Sequence, residues 1–280
     1  MQTHEGMKAL RVISVTSGKG GVGKTHLAAN VSTLCAKAGL RVLAIDADAG
    51  LANLDVLLGL SPPRSHVGHL LDGATLDEVL LESASGVKVL PGAPGERRLT
   101  HLDAGDLRAL VSIWDELAER FDVVLVDAGP GVGDDALFFS ATGQRVVVLV
   151  TEEPTSLADA AVLLTSLRRT TAVREVDVVV NGVRTWRSAQ AVFARLEGAV
   201  AHLSLGLKLL AHVPDDQNVR RAAMQRRPLV ELAPTSPAAR AFEKITQSLL
   251  EGPARVGGGV TVGVERQLGP TPPLPPLRVV

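Results

Sequence analysis

The segment Gly18-Lys19-Gly20-Gly21-Val22-Gly23-Lys24-Thr25 constrains this 280-residue chain more than any other feature. It follows the pattern G-x-x-x-x-G-K-[ST]. An apolar run, Leu10–Val15, leads into it, and a helix-like pattern, His26–Ala38, leads out. Glycines allow backbone N–H groups to converge on phosphate oxygens, and a helix N-terminus adds positive potential there. Lys24 is expected to reach the β- and γ-phosphates, and the Thr25 hydroxyl to ligate Mg²⁺. A ligand-free Gly-rich turn is the plainer reading. Strand, loop, lysine, hydroxyl and helix together favour the phosphate loop.

A strand–loop–helix opening calls for more of the same, and the chain alternates accordingly. Further β-branched runs lie at Arg41–Ile45, Val87–Leu90, Val123–Val126, Arg145–Val150, Val176–Val180 and Leu207–Ala211. They are near-continuously apolar, as strands buried on both faces should be. Helical patterns fall at Leu102–Arg120, Ser156–Arg168, Ser188–Leu203 and Pro237–Leu250. The predicted fold is an α/β P-loop NTPase: a mostly parallel twisted sheet of about seven strands with helices on both faces. Aromatic residues are only 2% of the chain and Tyr is absent, so Ala, Val and Leu must build the core. Gly50 to Ser85 breaks the alternation and reads as a mobile excursion beside the site, with helical fragments at Leu54–Leu58 and Leu76–Leu81. From Gly252 the chain turns Gly- and Pro-rich. The expected division is a nucleotide-binding domain over 1–251 and a disordered tail over 252–280.

Composition excludes several classes. The formal net charge of −1 advertises no nucleic acid, and no specific nucleic-acid partner is expected. The arginines at 220, 221, 226 and 227 read as a solvated face. A single cysteine, Cys35, rules out a disulfide framework within the chain and a Cys-rich metal site within one subunit. No apolar run approaches the ~18 residues of a membrane span. The short polar start carries no signal peptide, so a cytoplasmic setting is expected.

Carboxylates complete the chemistry. Val123-Val124-Leu125-Val126-Asp127 ends a hydrophobic strand in an aspartate, followed by Ala128-Gly129-Pro130-Gly131. Asp127 is placed to hold Mg²⁺ through a water, with the glycines permitting backbone movement near a γ-phosphate. The second strand ends in Asp46-Ala47-Asp48. Both carboxylates fall at the carboxyl edge, where open α/β sheets bind ligands. Asp48 is the better candidate to orient an attacking water, with helix capping as its alternative; for Asp46 the two readings stand level.

Lys19 adds a second lysine to the loop. The string Lys19 to Thr25 resembles the deviant Walker A of the MinD/ParA ATPases. Asp46 to Leu60, Glu153-Pro154-Thr155-Ser156-Leu157-Ala158-Asp159-Ala160 and Pro237-Ala238-Ala239-Arg240-Ala241 look like the flagellar-number regulators of the FlhG (FleN/YlxH) branch. The resemblance spans about residues 10–250. It implies an ATP-sandwich dimer in which Lys19 reaches the partner's nucleotide. It implies Lys19, Lys24 and Asp48 as the catalytic set, and Thr25, Asp48 and Asp127 around Mg²⁺. ATP would lie against residues Gly18, Lys19, Gly20, Gly21, Val22, Gly23, Lys24, Thr25 and His26. Asn181, Pro214 and Asp215 would meet the adenine; without the resemblance these three read as strand-end turn residues.

The implied function is a switch: ATP drives dimerisation, and slow hydrolysis to ADP and phosphate resets it, controlling the number or placement of flagella. Implied partners are a second copy of the chain, the flagellar GTPase FlhF, flagellar switch proteins or a transcription regulator. The family's N-terminal Asp-Gln-Ala motif is absent from the residues before the first strand, which sets FlhF stimulation apart from the rest. A peripheral membrane contact is implied through Pro237–Leu250, where Ala241, Ile245, Leu249 and Leu250 stand near helical spacing. A final helix packed on the sheet is the favoured alternative. Competing functions are an ATP-locked antiactivator of a transcription regulator, and a ParA-like positioning ATPase for another polar or chromosomal cargo. Iron–sulfur carriers with this loop need bridging cysteines, and tyrosine autokinases need a tyrosine cluster; this chain has neither.

Overall fold

The computed structural model describes residues 10–48, 50, 52–61, 66–92 and 116–251. The strands are β1 (Arg11–Thr16), β2 (Val42–Ala47), β3 (Leu81–Glu82), β4 (Lys88–Leu90), β5 (Val123–Ala128), β6 (Arg145–Val150), β7 (Glu175–Asn181) and β8 (Gly206–Val213). They form one sheet in the order β3-β4-β2-β5-β1-β6-β7-β8. All seven expected runs are strands. The eighth, β3, is a short antiparallel addition to β4, made by a tight turn in which Ser83 N–H donates to Val87 O at 2.9 Å. Two residues carry too little pattern to be read as a strand.

The helices are α1 (Lys24–Lys37), α2 (Leu54–Leu57), α3 (Val67–Leu71), α4 (Leu76–Val79), α5 (Asp134–Ala141), α6 (Pro154–Thr170), α7 (Trp186–Val200), α8 (Gln217–Met224), α9 (Leu229–Leu232) and α10 (Pro237–Leu250). A helical turn at 116–120 is the described end of the expected Leu102–Arg120 helix; its earlier residues lie outside the described set. Starts follow local chemistry. Thr185 Oγ1 accepts from Ser188 N–H at 3.1 Å to cap α7, and Asp216 Oδ1 accepts from Asn218 N–H at 2.9 Å to cap α8. Pro154 and Pro237 stand in the first turns of α6 and α10, where a missing N–H costs nothing.

Alternate residues of each strand feed two faces. On one, Ile13, Val15, Ala44 and Leu125 pack against Leu27 and Val31 of α1 and Phe242 and Ile245 of α10. On the other, Val146, Val148 and Val178 pack against Leu163 and Leu164 of α6 and Leu196 of α7. A buried ion pair ties the layers: Arg145 Nη2 meets Asp177 Oδ2 at 2.7 Å while its Nη1 donates to Ser248 O of α10. The apolar stripe of Pro237–Leu250 is therefore core, with Ala238, Ala239, Phe242, Ile245 and Leu249 all buried. This is the packed-helix reading of that segment. Among the described residues no helix is long and apolar enough to cross a membrane. The predicted disordered tail, 252–280, lies outside the described residues.

Candidate functional site

The carboxyl ends of β1, β2 and β5 converge on one edge. Register sets Val15 beside Asp127, and Asp127 beside Asp46. The loop after β1 wraps this edge. Gly23 closes it with φ +102°, a left-handed turn that a β-carbon would strain, and the added carbon would lie 2.6 Å from Asn181 Nδ2. Gly18 is constrained from the other side: a β-carbon there would stand 2.1 Å from the backbone carbon of Asp159 in α6. Asn181, at the end of β7, donates from Nδ2 to Val22 O at 2.7 Å. Gly131 N–H donates to Ser17 O at 3.0 Å, joining the loop after β5 to the loop after β1. The loop is thus held by three elements.

Lys24 is buried, and burial lowers its pKa while the charges of Asp127, Asp48 and Asp46 pull it back up. Asp127 is buried at the next strand end. Its Oδ1 has no hydrogen-bond partner among the described residues. Burial first, and the charge of Asp46 second, raise its pKa, against a hydrogen bond from Thr25 and the charge of Lys24. Burial also raises Asp46, opposed by backbone N–H donors. An orphaned buried carboxylate oxygen beside a hydroxyl, a lysine and a second buried carboxylate suits a divalent cation with phosphate oxygens, so Thr25 and Asp127 fit the metal role expected of them.

The two aspartates after β2 part company. Asp46 Oδ2 accepts from Asn53 N–H and Leu54 N–H, both at 2.9 Å, and its Oδ1 accepts from Asp48 N–H at 3.2 Å. It fastens the start of α2 to the sheet. Asp48 is half-buried, receives Gly50 N–H at 3.0 Å, and lies against the loop after β5, where a β-carbon on Gly129 would be 3.8 Å from its Oδ1. Ala49 and Leu51 fall outside the described residues.

Other expected residues take varied places. His26 is half-buried in the first turn of α1, with burial lowering its pKa. Pro214 and Asp215 follow β8; Pro214 lines a groove of about 870 Å³ with Trp186, His212 and Arg240, and Asp215 is exposed. Lys19 does not join Lys24. Its Nζ sits 2.5 Å from Glu153 Oε2 and donates to Thr155 Oγ1 at 3.1 Å. No spacing rule links residue 19 to residue 153; only the pairing of β1 with β6 brings their following loops together.

A glycine-lined loop closing on a helix N-terminus at the centre of a parallel sheet, with a strand-end carboxylate beside it, defines a P-loop nucleotide-binding protein. Residues 13–229 match the CobQ/CobB/MinD/ParA nucleotide binding domain, and the chain belongs to that family. It is 35% identical over 244 residues to the antiactivator FleN of Pseudomonas aeruginosa, covering 87% of each chain. It is 29% identical to the flagellum site-determining protein YlxH of Helicobacter pylori, covering 86% of this chain and 82% of that one. The septum site-determining protein MinD of Pyrococcus horikoshii, solved with Mg-ADP, superposes with a TM-score of 0.68 at 26% identity over 86% of this chain and 96% of that one.

Proposed function

We propose that the protein is an ATP-dependent dimerisation switch of the MinD/FlhG type, which hydrolyses ATP slowly and controls the number or placement of flagella. The carrying observation is the different placement of the loop's two lysines. Lys24 is buried among carboxylates, whereas Lys19 lies half-exposed at the rim, 38% accessible, engaged with Glu153. This placement supports a reading in which Lys24 serves its own site and Lys19 is left for the nucleotide of a second subunit.

In this reading the backbone N–H groups of Gly20 to Gly23 and the Lys24 ammonium bind phosphate oxygens, and Asn181 holds the loop in shape. Thr25 and Asp127 would hold Mg²⁺, which supplies charge neutralisation on those oxygens. Asp48, the more accessible carboxylate, would orient a water and accept its proton. Asn181, Pro214 and Asp215 would lie near the base. The setting would be cytoplasmic, with FlhF, flagellar switch proteins or a transcription regulator as partners.

Sedimentation of the Asp48→Ala protein tests this. It should dimerise with Mg²⁺ and ATP and stay monomeric with ADP, with turnover falling at least tenfold and ATP affinity nearly intact. A monomer at saturating ATP would sink the proposal. The identity with FleN favours one second reading, an ATP-locked antiactivator in which turnover is incidental. Turnover that stays negligible with and without a transcription regulator would support that reading over the first.

A further inference from the structure

We propose that Glu153, helped by Thr155, is a positioning residue that stows Lys19 inside its own subunit, so that dimerisation requires this contact to open. The inference rests on the switch reading above and adds a regulatory role for residues outside the loop. An ammonium has three donors in a compact head. Here Glu153 Oε2 at 2.5 Å and Thr155 Oγ1 at 3.1 Å take two of them. A lysine held this way cannot at the same time reach phosphates in another subunit.

The platform is firm. Glu153 is the residue before the first turn of α6, Pro154 fixes the backbone at its next position, and Thr155 follows. Ser156 Oγ accepts from Thr151 N–H at 3.0 Å and pins the turn between β6 and α6. The close approach of Gly18 to Asp159 presses the start of the loop against the same helix. Lys19 therefore finds Glu153 at a set distance, and the contact forms without ordering a loop.

The pair is also weak enough to be reversible. Its side chains are 38% and 60% accessible, and exposed pairs change an equilibrium by no more than about fivefold. Two such contacts open per dimer, so their effect on the dimer constant is the product, up to about 25-fold. Opening is compensated when Lys19 meets phosphate charge, which a more anionic nucleotide supplies better. The latch would then raise the threshold for dimerisation without touching nucleotide binding in the monomer.

Full-length wild type, Glu153→Gln and Thr155→Val are compared by sedimentation equilibrium with Mg²⁺ and a non-hydrolysable ATP analogue. Nucleotide affinity is measured separately at protein concentrations where all are monomeric. Glu153→Gln should dimerise at several-fold lower protein concentration, up to about 25-fold, with Thr155→Val shifted less. Monomer affinity should be unchanged, a split that a general structural defect would not produce. Higher salt should narrow the gap between wild type and Glu153→Gln. A wild type that dimerises while Glu153→Gln dimerises no more readily, or less, overturns the latch and leaves the switch reading standing. If all three proteins stay monomeric, both fail together.

Discussion

Asp46 and Asp48 show what a single residue's surroundings decide. Both stand at the ligand edge of β2, two positions apart. Asp46 spends its oxygens on three backbone donors and fixes the start of α2, while Asp48 remains near the accessible loops. Asp46→Asn keeps one acceptor oxygen and places an NH₂ group where N–H donors already point. The expected loss of stability is about 1–3 kcal/mol, read as a lower urea midpoint at unchanged slope. Turnover should also fall, because the turn carrying Asp48 hangs from that carboxylate, whereas Asp48→Ala should cost activity with little stability. A neutral urea result for Asp46→Asn would mean its hydrogen bonds do not hold α2. Both aspartates were legible in the sequence as ligand-edge carboxylates. The sequence favoured Asp48 for the water and left Asp46 open, because the backbone donors that Asp46 meets at 53 and 54 depend on where the chain returns after residue 48. The placement of Lys24, Thr25 and Asp127 at one sheet edge was legible because each stands at a fixed offset from a loop or strand end. The Glu153 contact with Lys19 had no such offset.

Among elements, strands were the easiest to read, since buried parallel strands leave long apolar runs. Helices missed by pattern failed for opposite reasons. In α5 every residue from Ala136 to Ala141 is buried, so no polar face marks the period. In α8 only Ala222 is buried, so no apolar face does. The last helix carried a legible stripe with two meanings, membrane contact or core, which only packing could separate. Ile245 is fully buried between α1 and the sheet. Ile245→Ala should cost about 2–5 kcal/mol, seen as a lowered thermal midpoint. Arg240→Glu on the exposed side of α10 should leave that midpoint almost unchanged. If both substitutions were tolerated equally, α10 would not be part of the cooperative core, and its apolar face would again be available for a membrane.

At the scale of the molecule, the sheet order places β1 between β5 and β6, with β2 beyond β5 and β7 beyond β6. The connection leaving β1 runs towards one edge of the sheet and the connection leaving β5 passes β1 towards the other, so the phosphate loop sits where successive connections part, the place where such sheets bind ligands. One arm of the sheet brings Asp46, Asp48 and Asp127; the other brings Glu153 and Asn181. In the proposed switch the arm that carries these carboxylates would be joined through the phosphate loop to the arm that holds Lys19, which would give nucleotide state a short route to the subunit surface. A dimerising switch built this way couples stability to concentration. Anything that binds only the folded, paired state raises its melting temperature, and does so more as protein concentration rises. With Mg²⁺ and ATP the Asp48→Ala protein should melt several degrees higher at 100-fold greater concentration; with Mg²⁺ and ADP it should melt at one temperature throughout. The proposed domain ends with α10, whose Leu249 closes the core. Removal of 252–280 should therefore preserve both patterns and the basal ATPase rate. A concentration-independent melt in ATP would leave a nucleotide-binding monomer, and a truncated protein that lost the dependence would assign the pairing to the segment beyond residue 251.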